Sequence, residues 1–338
     1  MYRIIENETK EILNKVDFNK LRNSKVLITG ASGLIGVYLT STLKHLQKEL
    51  NIEIYCWINN PIEVEFKNIF ENVTLITGDI LNSMNLMGLP KFDFIIHAAG
   101  YGQPNKFMAN KDKTFLLNTL STHWLFDYLL NENGNFLFIS TSELYSGLDY
   151  PNITEEQIGT TNPSHPRASY IEGKRGGETI CHSMIDKGYN VKIVRLALGY
   201  GPGTKKNDQR VLNSLIQKGL FNDKIELMDA GDAIRTYCYV TDVVEMIYNI
   251  LLNGKEVVYN VGGESITTIL DLAKLIGEKL NKQVVTPELT NELTGNPKVV
   301  NISTEKYKNE FNKKTFISLE EGIINTINWQ KELYGKNN

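Results

Sequence analysis

A tyrosine and a lysine four residues apart, Tyr170 and Lys174, are well suited to move a proton. On a helix this spacing places both side chains on one face. A tyrosine in water has a pKa of about 10 and is a poor base at neutral pH, whereas a nearby positive charge favours the phenolate. Thr141, upstream of the pair, can hydrogen-bond the same substrate oxygen. The three side chains predict a general acid–base centre.

A carboxylate follows Thr141 by two positions. Glu143 can act as a second acid or base beside the same centre, which removal of a proton from carbon needs. The alternative is a solvated glutamate or one that caps a helix. The sequence favours the catalytic interpretation and leaves the structural one open.

A glycine-rich turn offers a place for a cofactor. Residues 26–36 read as a buried apolar strand, a turn with Gly30, Gly33 and Gly36, and the start of a helix over 34–46. Gly30 permits a sharp turn, Gly33 a close approach of backbone to a pyrophosphate, and Gly36 close packing of the helix on the sheet. The free N–H groups at the helix start suit a diphosphate. An ordinary strand–turn–helix corner is the alternative.

Apolar strands and helical patterns alternate through the first half of the chain. The predicted strands cover 26–29, 52–58, 73–77, 94–97 and 136–139, and the predicted helices cover 34–46, 113–132 and 168–187. This alternation predicts an α/β fold with a doubly wound parallel sheet, and a ligand site at the carboxyl edge of its strands. Residues 1–24 are expected to add a helix against the body of the protein or a partner subunit.

After Gly203 the predicted secondary-structure elements are shorter. They are a helix at 209–218, a strand at 225–228, and helices at 241–253 and 267–281. We therefore expect a first α/β domain over 1–200 and a smaller α/β domain over 201–338. Segment 236–261 is expected to return to the first domain, with a strand at 257–261 rejoining the sheet.

Composition narrows the class of protein. The 338 residues include 41% hydrophobic and 22% charged residues, as in an ordinary globular enzyme, and the net charge of −3 argues against a general nucleic-acid binder. No apolar run reaches membrane-spanning length, and the first residues lack a signal-peptide core, so we expect no membrane partner and a cytoplasmic protein. Three cysteines without CxxC spacing predict buried thiols, and five histidines without ligand spacing predict no metal site.

The GxxGxxG turn, STSELY at 140–145 and HPRASYIEGKRGGE at 165–178 together resemble the extended short-chain dehydrogenase/reductases of the NAD-dependent epimerase/dehydratase family. That family acts on nucleotide sugars. It oxidises a sugar hydroxyl, usually at C4, by passing a hydride to the nicotinamide while the tyrosine takes the proton. The resemblance thus implies NAD as cofactor, held by a Rossmann domain over 1–200, and a nucleotide-diphosphate sugar as substrate, bound by the smaller substrate domain over 201–338. It also implies a role in polysaccharide biosynthesis.

The sequence around Glu143 is similar to the branch with UDP-glucuronate decarboxylases and sugar-nucleotide 4,6-dehydratases. The resemblance favours oxidation at C4 followed by dehydration or decarboxylation. A net 4-dehydrogenase that releases the 4-keto sugar comes second and a 4-epimerase third; a catalytically silent NAD(P)-binding protein is the alternative of another class. Leu198 and Gly203 stand where the decarboxylase pattern has Asn and Arg. This departure argues against glucuronate as the sugar.

The resemblance assigns further residues to ligands. Asp79 would meet the adenine, and Asn59 stands where NAD-selective sites usually have an acid; because no Arg or Lys stands there, NAD is favoured over NADP. The full set implied for NAD is Gly30, Ser32, Gly33, Leu34, Ile35, Gly36, Asn59, Asp79, Ile80, Ala98, Ala99, Asn118, Tyr170, Lys174 and Ala197.

Substrate residues and a dimer are also implied. Thr141 and Ser142 would contact the sugar, and Arg210 and Arg235 would hold the nucleotide diphosphate. Helices 113–132 and 168–187 usually build a four-helix bundle between two subunits of such enzymes, so a homodimer is expected. His97, at the end of a buried strand, is an acid–base candidate, but we favour a structural, hydrogen-bonded histidine.

Overall fold

The computed structural model describes residues 2–130, 133–148, 151–206, 208–287, 299 and 301–335. Its strands are β1 (Lys25–Thr29), β2 (Glu53–Ile58), β3 (Thr74–Thr77), β4 (Phe94–His97), β5 (Asn135–Thr141), β6 (Asn190–Leu196), β7 (Leu198–Tyr200), β8 (Lys224–Glu226), β9 (Ile234–Tyr239), β10 (Val258–Val261), β11 (Ser265–Thr268) and β12 (Gln283–Val285). Its helices are α1 (Tyr2–Ile12), α2 (Leu34–Leu46), α3 (Pro104–Ala109), α4 (Lys111–Asn118), α5 (Leu120–Phe126), α6 (Ala168–Ile185), α7 (Val211–Phe221), α8 (Val240–Asn253), α9 (Ile269–Leu280), α10 (Glu305–Phe311) and α11 (Leu319–Leu333).

Within these residues, seven parallel strands form the main sheet in the order β10-β6-β5-β4-β1-β2-β3. The order steps outward from β1 in both directions, so the sheet is doubly wound. Val26, Leu27 and Ile28 of β1 are fully buried, as expected for a central strand with helices on both faces. The predicted fold class is confirmed.

The strand predicted at 257–261 is present as β10. It pairs in parallel with β6, with Val258 opposite Ile193 and Val261 opposite Leu196. Helix α8, which precedes it, is buried along nearly its whole length and packs against α1 and α2. Strand β9 lies elsewhere, in a sheet of the order β11-β9-β7. Segment 236–261 therefore contributes to both sheets.

The helix predicted at 113–132 differs in the structure. It begins earlier, as α4, is distorted at Thr119, and continues as α5 only to Phe126. The chain then turns so that Leu129 forms a bridge with Phe92, which ends the helix. Residues 131–132 lie outside the described part of the chain.

A short helix, α3, follows β4 and begins at Pro104. Proline suits the first turn of a helix, where its missing N–H costs nothing. The turn places Phe107 in the interior, with 1% of the residue exposed.

Helices α4 and α6 pack closely on each other. A Cβ atom on Gly177 of α6 would lie 2.5 Å from the Asn118 carbonyl oxygen and 2.4 Å from the ring of Phe138 on β5. Only a glycine at this point allows the two helices and the sheet to approach so closely. Among the described residues, no helix combines the length and apolar character needed to cross a bilayer.

Candidate active site

The glycine-rich turn lies at the carboxyl edge of the sheet, between β1 and α2. Gly30 has a φ of +68°, and a Cβ atom there would lie 2.7 Å from the Ala98 carbonyl oxygen at the end of β4. Both the positive φ and the close approach of the Ala98 carbonyl exclude a side chain at position 30. Gly33 is the N-cap of α2 and has no side chain to cap the first turn. The first N–H groups of a helix point out of its N-terminal end, and α2 begins at this edge, where they suit a diphosphate.

Other residues assigned to the cofactor lie on the same edge. Asn59 is exposed directly after β2, and Ile80 is buried after β3. The Ala99 N–H donates to Thr29 Oγ1 at 3.1 Å, which fixes the chain leaving β4. Ala197 is buried directly after β6, and its N–H donates to the Val261 carbonyl.

Asp79, assigned to the adenine, forms an ion pair in this structure. Its Oδ2 lies 2.6 Å from Lys113 Nζ on α4, and its Oδ1 accepts the Leu81 N–H at 3.1 Å. The carboxylate stays partly exposed. The structure places it after β3 at the cofactor edge and leaves its contact with an adenine a prediction.

A group of polar atoms converges at the centre of this edge. The buried Asn118 donates to the Thr114 carbonyl at 2.7 Å, but its Oδ1 has no hydrogen-bond partner within the described part of the chain. A Cβ atom on Gly100 would lie 3.6 Å from this oxygen and 3.9 Å from Lys174 Nζ. An unpartnered buried acceptor and an ammonium, next to a residue without a side chain, fit a polar ligand such as the nicotinamide riboside of NAD.

Lys174 is held by the sheet. Its Nζ donates to the Ile139 carbonyl at 2.5 Å and lies 4.8 Å from the centre of the Phe138 ring. Burial lowers the pKa of Lys174 to about 7, against the opposing charge of Glu178 one turn further along α6.

Tyr170 lies on α6 one turn before Lys174, with its ring stacked on Phe107. The two ring centres are 4.5 Å apart, and their planes differ by 6°. Burial raises the pKa of Tyr170 to about 12; the charge of Glu143 adds to this increase, while a hydrogen bond with Thr141 and the charge of Arg167 oppose it. Thr141 and Tyr170 are thus brought together, as the sequence predicts for a base and the hydroxyl that assists it.

Thr141 also shapes the turn that follows β5. Its hydroxyl accepts the Glu143 N–H at 3.2 Å and caps the 3₁₀ turn Ser142–Tyr145. Ser142 is buried in this turn, and the turn directs Glu143 toward α6.

Glu143 is neither solvated nor a helix cap. Arg167 holds it in a bidentate ion pair, with Nε 2.9 Å from Oε2 and one Nη on the other oxygen. The guanidinium is buried and lies over the Phe107 ring, 4.9 Å from its centre. The acid–base candidate is therefore positioned beside Tyr170 by a fixed partner.

The two arginines assigned to the diphosphate have different surroundings. Arg235, on β9, lies close enough to Glu143 and Arg167 for their charges to act on it, although burial is the main cause that lowers its pKa. Arg210, before α7, pairs with Asp208, with Nη2 2.6 Å from Oδ2. The structure brings Arg235 to the site and shows Arg210 in its own ion pair.

His97 is fully buried at the end of β4, and hydroxyl groups contact both ring nitrogens. Thr29 Oγ1 lies 2.7 Å from Nδ1 and Ser121 Oγ 3.1 Å from Nε2. Burial, with the charge of Lys174, lowers the pKa of His97 to about 3. A neutral, hydrogen-bonded histidine is the structural role that the sequence favours.

Sequence reasoning missed Arg167 and Phe107. Arg167 lies three residues before Tyr170, a spacing that could have indicated a shared helix face. Phe107 carried no such signal, because its position depends on the unexpected helix α3.

A doubly wound parallel sheet, a GxxGxxG turn and a Tyr-x-x-x-Lys helix at one edge define a dinucleotide-dependent enzyme of the short-chain dehydrogenase/reductase type. The model of the NAD dependent epimerase/dehydratase family matches residues 26–262, and the chain belongs to this family. It is an NAD-dependent enzyme, and the residues described above fit that cofactor.

Curated relatives and solved structures agree with this assignment. UDP-glucuronic acid decarboxylase 1 of Xenopus tropicalis is 29% identical over 91% of this chain and 73% of its own. UDP-glucuronic acid decarboxylase 6 of Arabidopsis thaliana is 27% identical over 89% and 87%. The NAD-bound dTDP-glucose 4,6-dehydratase of Streptomyces venezuelae has the same fold, with a TM-score of 0.80, 20% identity, and coverage of 92% of this chain and 98% of that one.

Proposed function

We propose that this enzyme oxidises C4 of a nucleotide-diphosphate sugar and then dehydrates or decarboxylates the 4-keto sugar. The observation that carries the proposal is Glu143, fixed by Arg167 beside Tyr170. Simple oxidation needs only one base, whereas loss of water needs a second group to take the proton next to the ketone. The relatives named UDP-glucuronic acid decarboxylase support a nucleotide sugar as the substrate.

In this proposal Thr141 and Tyr170 hold the sugar hydroxyl, and Tyr170 accepts its proton. NAD supplies the two-electron acceptor and a positive charge that favours the phenolate of Tyr170. The Glu143 carboxylate then removes or returns a proton at the carbon next to the new ketone while water or carbon dioxide leaves. The two electrons taken up by NAD would return to the sugar, so that NAD is regenerated and the net loss is one water or one carbon dioxide. Arg235 and Arg210 hold the diphosphate in this proposal, since a guanidinium can donate two parallel N–H groups to phosphate oxygens.

Dehydration is the branch to test first. Leu198, at the start of β7, is 38% exposed and occupies the position where the decarboxylase pattern has a polar Asn. An apolar side chain cannot hydrogen-bond a uronate there. This difference favours a hexose over a uronic acid.

We also propose that the protein is a cytoplasmic homodimer whose two subunits contact each other through α4–α5 and α6. Phe115 and Leu116 of α4 are 42% and 41% exposed, which leaves apolar surface next to α6 for a second copy.

Mass spectrometry tests the proposed reaction. The purified protein is incubated with NAD and UDP-, GDP-, CDP- and dTDP-sugars, including a uronic acid. We expect a product lighter by one water from a hexose or by one carbon dioxide from a uronic acid. A product lighter by two hydrogens would establish net 4-oxidation instead. An isomer of unchanged mass would establish epimerisation, and unreacted sugar with no reduction of bound NAD would indicate a silent binding protein.

A further inference from the structure

Arg167 pairs directly with Glu143, and the ring of Phe107 lies between Arg167 and Tyr170. Its guanidinium forms the bidentate pair with Glu143 and lies 4.9 Å from the centre of the Phe107 ring. The same ring is stacked on Tyr170 at 4.5 Å. Arg167 and Phe107 are 8% and 1% exposed, so water screens these interactions weakly.

We propose that Arg167 is a positioning residue that orients the Glu143 carboxylate and, through the charge balance of this pair, sets the ionisation of Tyr170. The proposal deepens the proposed function and rests on it for the roles of Glu143 and Tyr170. Arg167 thus orients the Glu143 carboxylate for proton transfer at the sugar carbon and sets the basicity of Tyr170 for the oxidation at C4.

The charges around Tyr170 explain the second part. Glu143, from the turn after β5, raises the pKa of Tyr170, and Arg167, the N-cap residue of α6, lowers it. Thr141 faces the phenol with a hydrogen bond, and the charges of Glu143 and Arg167 also act on Arg235 of β9. Lys174, which the sequence suggests as the cation beside the phenol, donates instead to the Ile139 carbonyl. Arg167 is therefore the cation whose loss should affect Tyr170.

A titration of Tyr170 tests this charge balance without any sugar. A rapid pH jump is followed through tyrosinate absorbance, and each variant is compared with the same variant carrying Tyr170→Phe, so that the other tyrosines cancel. Arg167→Gln should raise the midpoint of Tyr170 by about one pH unit, and Glu143→Gln should lower it by about as much. The double variant should return close to the native midpoint. Unchanged midpoints, or shifts of the same sign, would overturn the proposal.

Arg175→Gln is the matched control. Arg175 lies on the same helix, and its Nε pairs with Glu172 Oε2 at 3.1 Å. Its loss removes one guanidinium from α6 without touching Glu143, so the midpoint of Tyr170 should stay at its native value. Near-ultraviolet circular dichroism of every variant verifies that the fold is retained.

Arg167→Lys separates charge from geometry, because lysine keeps the charge but cannot form the planar bidentate pair. In Arg167→Lys, the titration midpoint of Tyr170 and the reduction of bound NAD by the sugar should stay close to the native values. Incorporation of solvent deuterium at the sugar carbon next to the ketone should fall about tenfold or more. Native incorporation would overturn the orienting role. If the native enzyme turns over no nucleotide sugar, the proposed function fails, while the sugar-free titration still decides the role of Arg167.

Discussion

At the scale of single residues, the site depends on how Tyr170 loses and regains a proton. The phenol is stacked on Phe107 and hydrogen-bonded with Thr141, and burial raises its pKa to about 12. A base that is protonated in the free protein at neutral pH becomes active only when positive charge arrives with the ligands. The tyrosine is thus protected from premature ionisation.

Tyr170→Phe removes the proposed base. We expect reduction of bound NAD by the substrate to fall by at least about two decades, the usual scale for a lost general base. The rate is measured as reduced-nicotinamide absorbance in a single turnover. Tyr128→Phe, after α5, is the control and should react at the native rate. Near-native reduction in Tyr170→Phe would show that another group takes the proton.

Lys174 makes stability depend on pH. Its pKa is about 7 in the folded protein and ordinarily 10.5. Below pH 7 Lys174 is charged in both the folded and the unfolded protein, and the buried charge destabilises the folded protein fully. As the pH rises from 7 toward 10.5, Lys174 loses its proton in the folded protein first, so this destabilisation is relieved.

The expected result is a rise in the free energy of unfolding of the native protein, relative to Lys174→Met, by about 1.4 kcal/mol per pH unit over that window. Urea unfolding of both proteins at matched pH values measures it. Parallel pH profiles would show that the ammonium remains charged in the folded protein.

The sequence predicted Thr141, Glu143, Tyr170 and Lys174 as candidates because each belongs to a short motif with fixed helix or turn geometry. Arg167 was missed, although it is the N-cap of the helix that carries Tyr170 and Lys174, because its partner Glu143 lies 24 residues away along the chain. Long-range ion pairs leave no periodic signal in one sequence.

At the scale of elements, the parallel strands were predicted well because each buried strand is a short apolar run. Strands β7, β9 and β11 were not predicted. Strand β7 has only three residues, and burial of β9 and β11 varies along each strand, so no clear alternation marks them. The break at Thr119 was also missed, since the apolar pattern continues through it.

The contact between α4 and α6 gives a prediction at this scale. Gly177→Ala should destabilise the protein by about 1–3 kcal/mol, because the new methyl group would overlap the Asn118 carbonyl and the Phe138 ring. Urea unfolding measures the change. Gly176→Ala is the control: within the described part of the chain its methyl group would meet a methyl group of the partly exposed Thr119, 2.8 Å away, and no backbone or ring atom, so its cost should be clearly smaller. Equal effects at the two positions would contradict the packing argument.

At the scale of the whole molecule, the C-terminal helix ties the later part of the chain to the first. Trp329 of α11 stacks on Phe66, with ring centres 5.9 Å apart, and donates to the Thr204 carbonyl at 2.9 Å. The predicted domain boundary near residue 200 is therefore crossed by buried contacts, and the two-domain division stays a prediction.

The proposed dimer gives the prediction at this scale. Replacing the exposed Phe115 and Leu116 with Asp should convert a dimer into a monomer, because charge would then lie at the apolar contact. Light scattering during size-exclusion chromatography measures the mass. Phe221→Asp, on α7 and 51% exposed, is the matched control and should remain dimeric. A native protein that elutes as a monomer would contradict the dimer itself.

The most direct test of the two-step reaction is Glu143→Gln with the sugar that the native enzyme converts. Glutamine keeps the shape of the side chain but cannot accept a proton, so oxidation at C4 should continue while the later step stops. We predict that bound NAD is reduced close to the native extent and that no product lighter by water or carbon dioxide forms. Loss of NAD reduction in Glu143→Gln would instead place Glu143 in the first step and contradict the account.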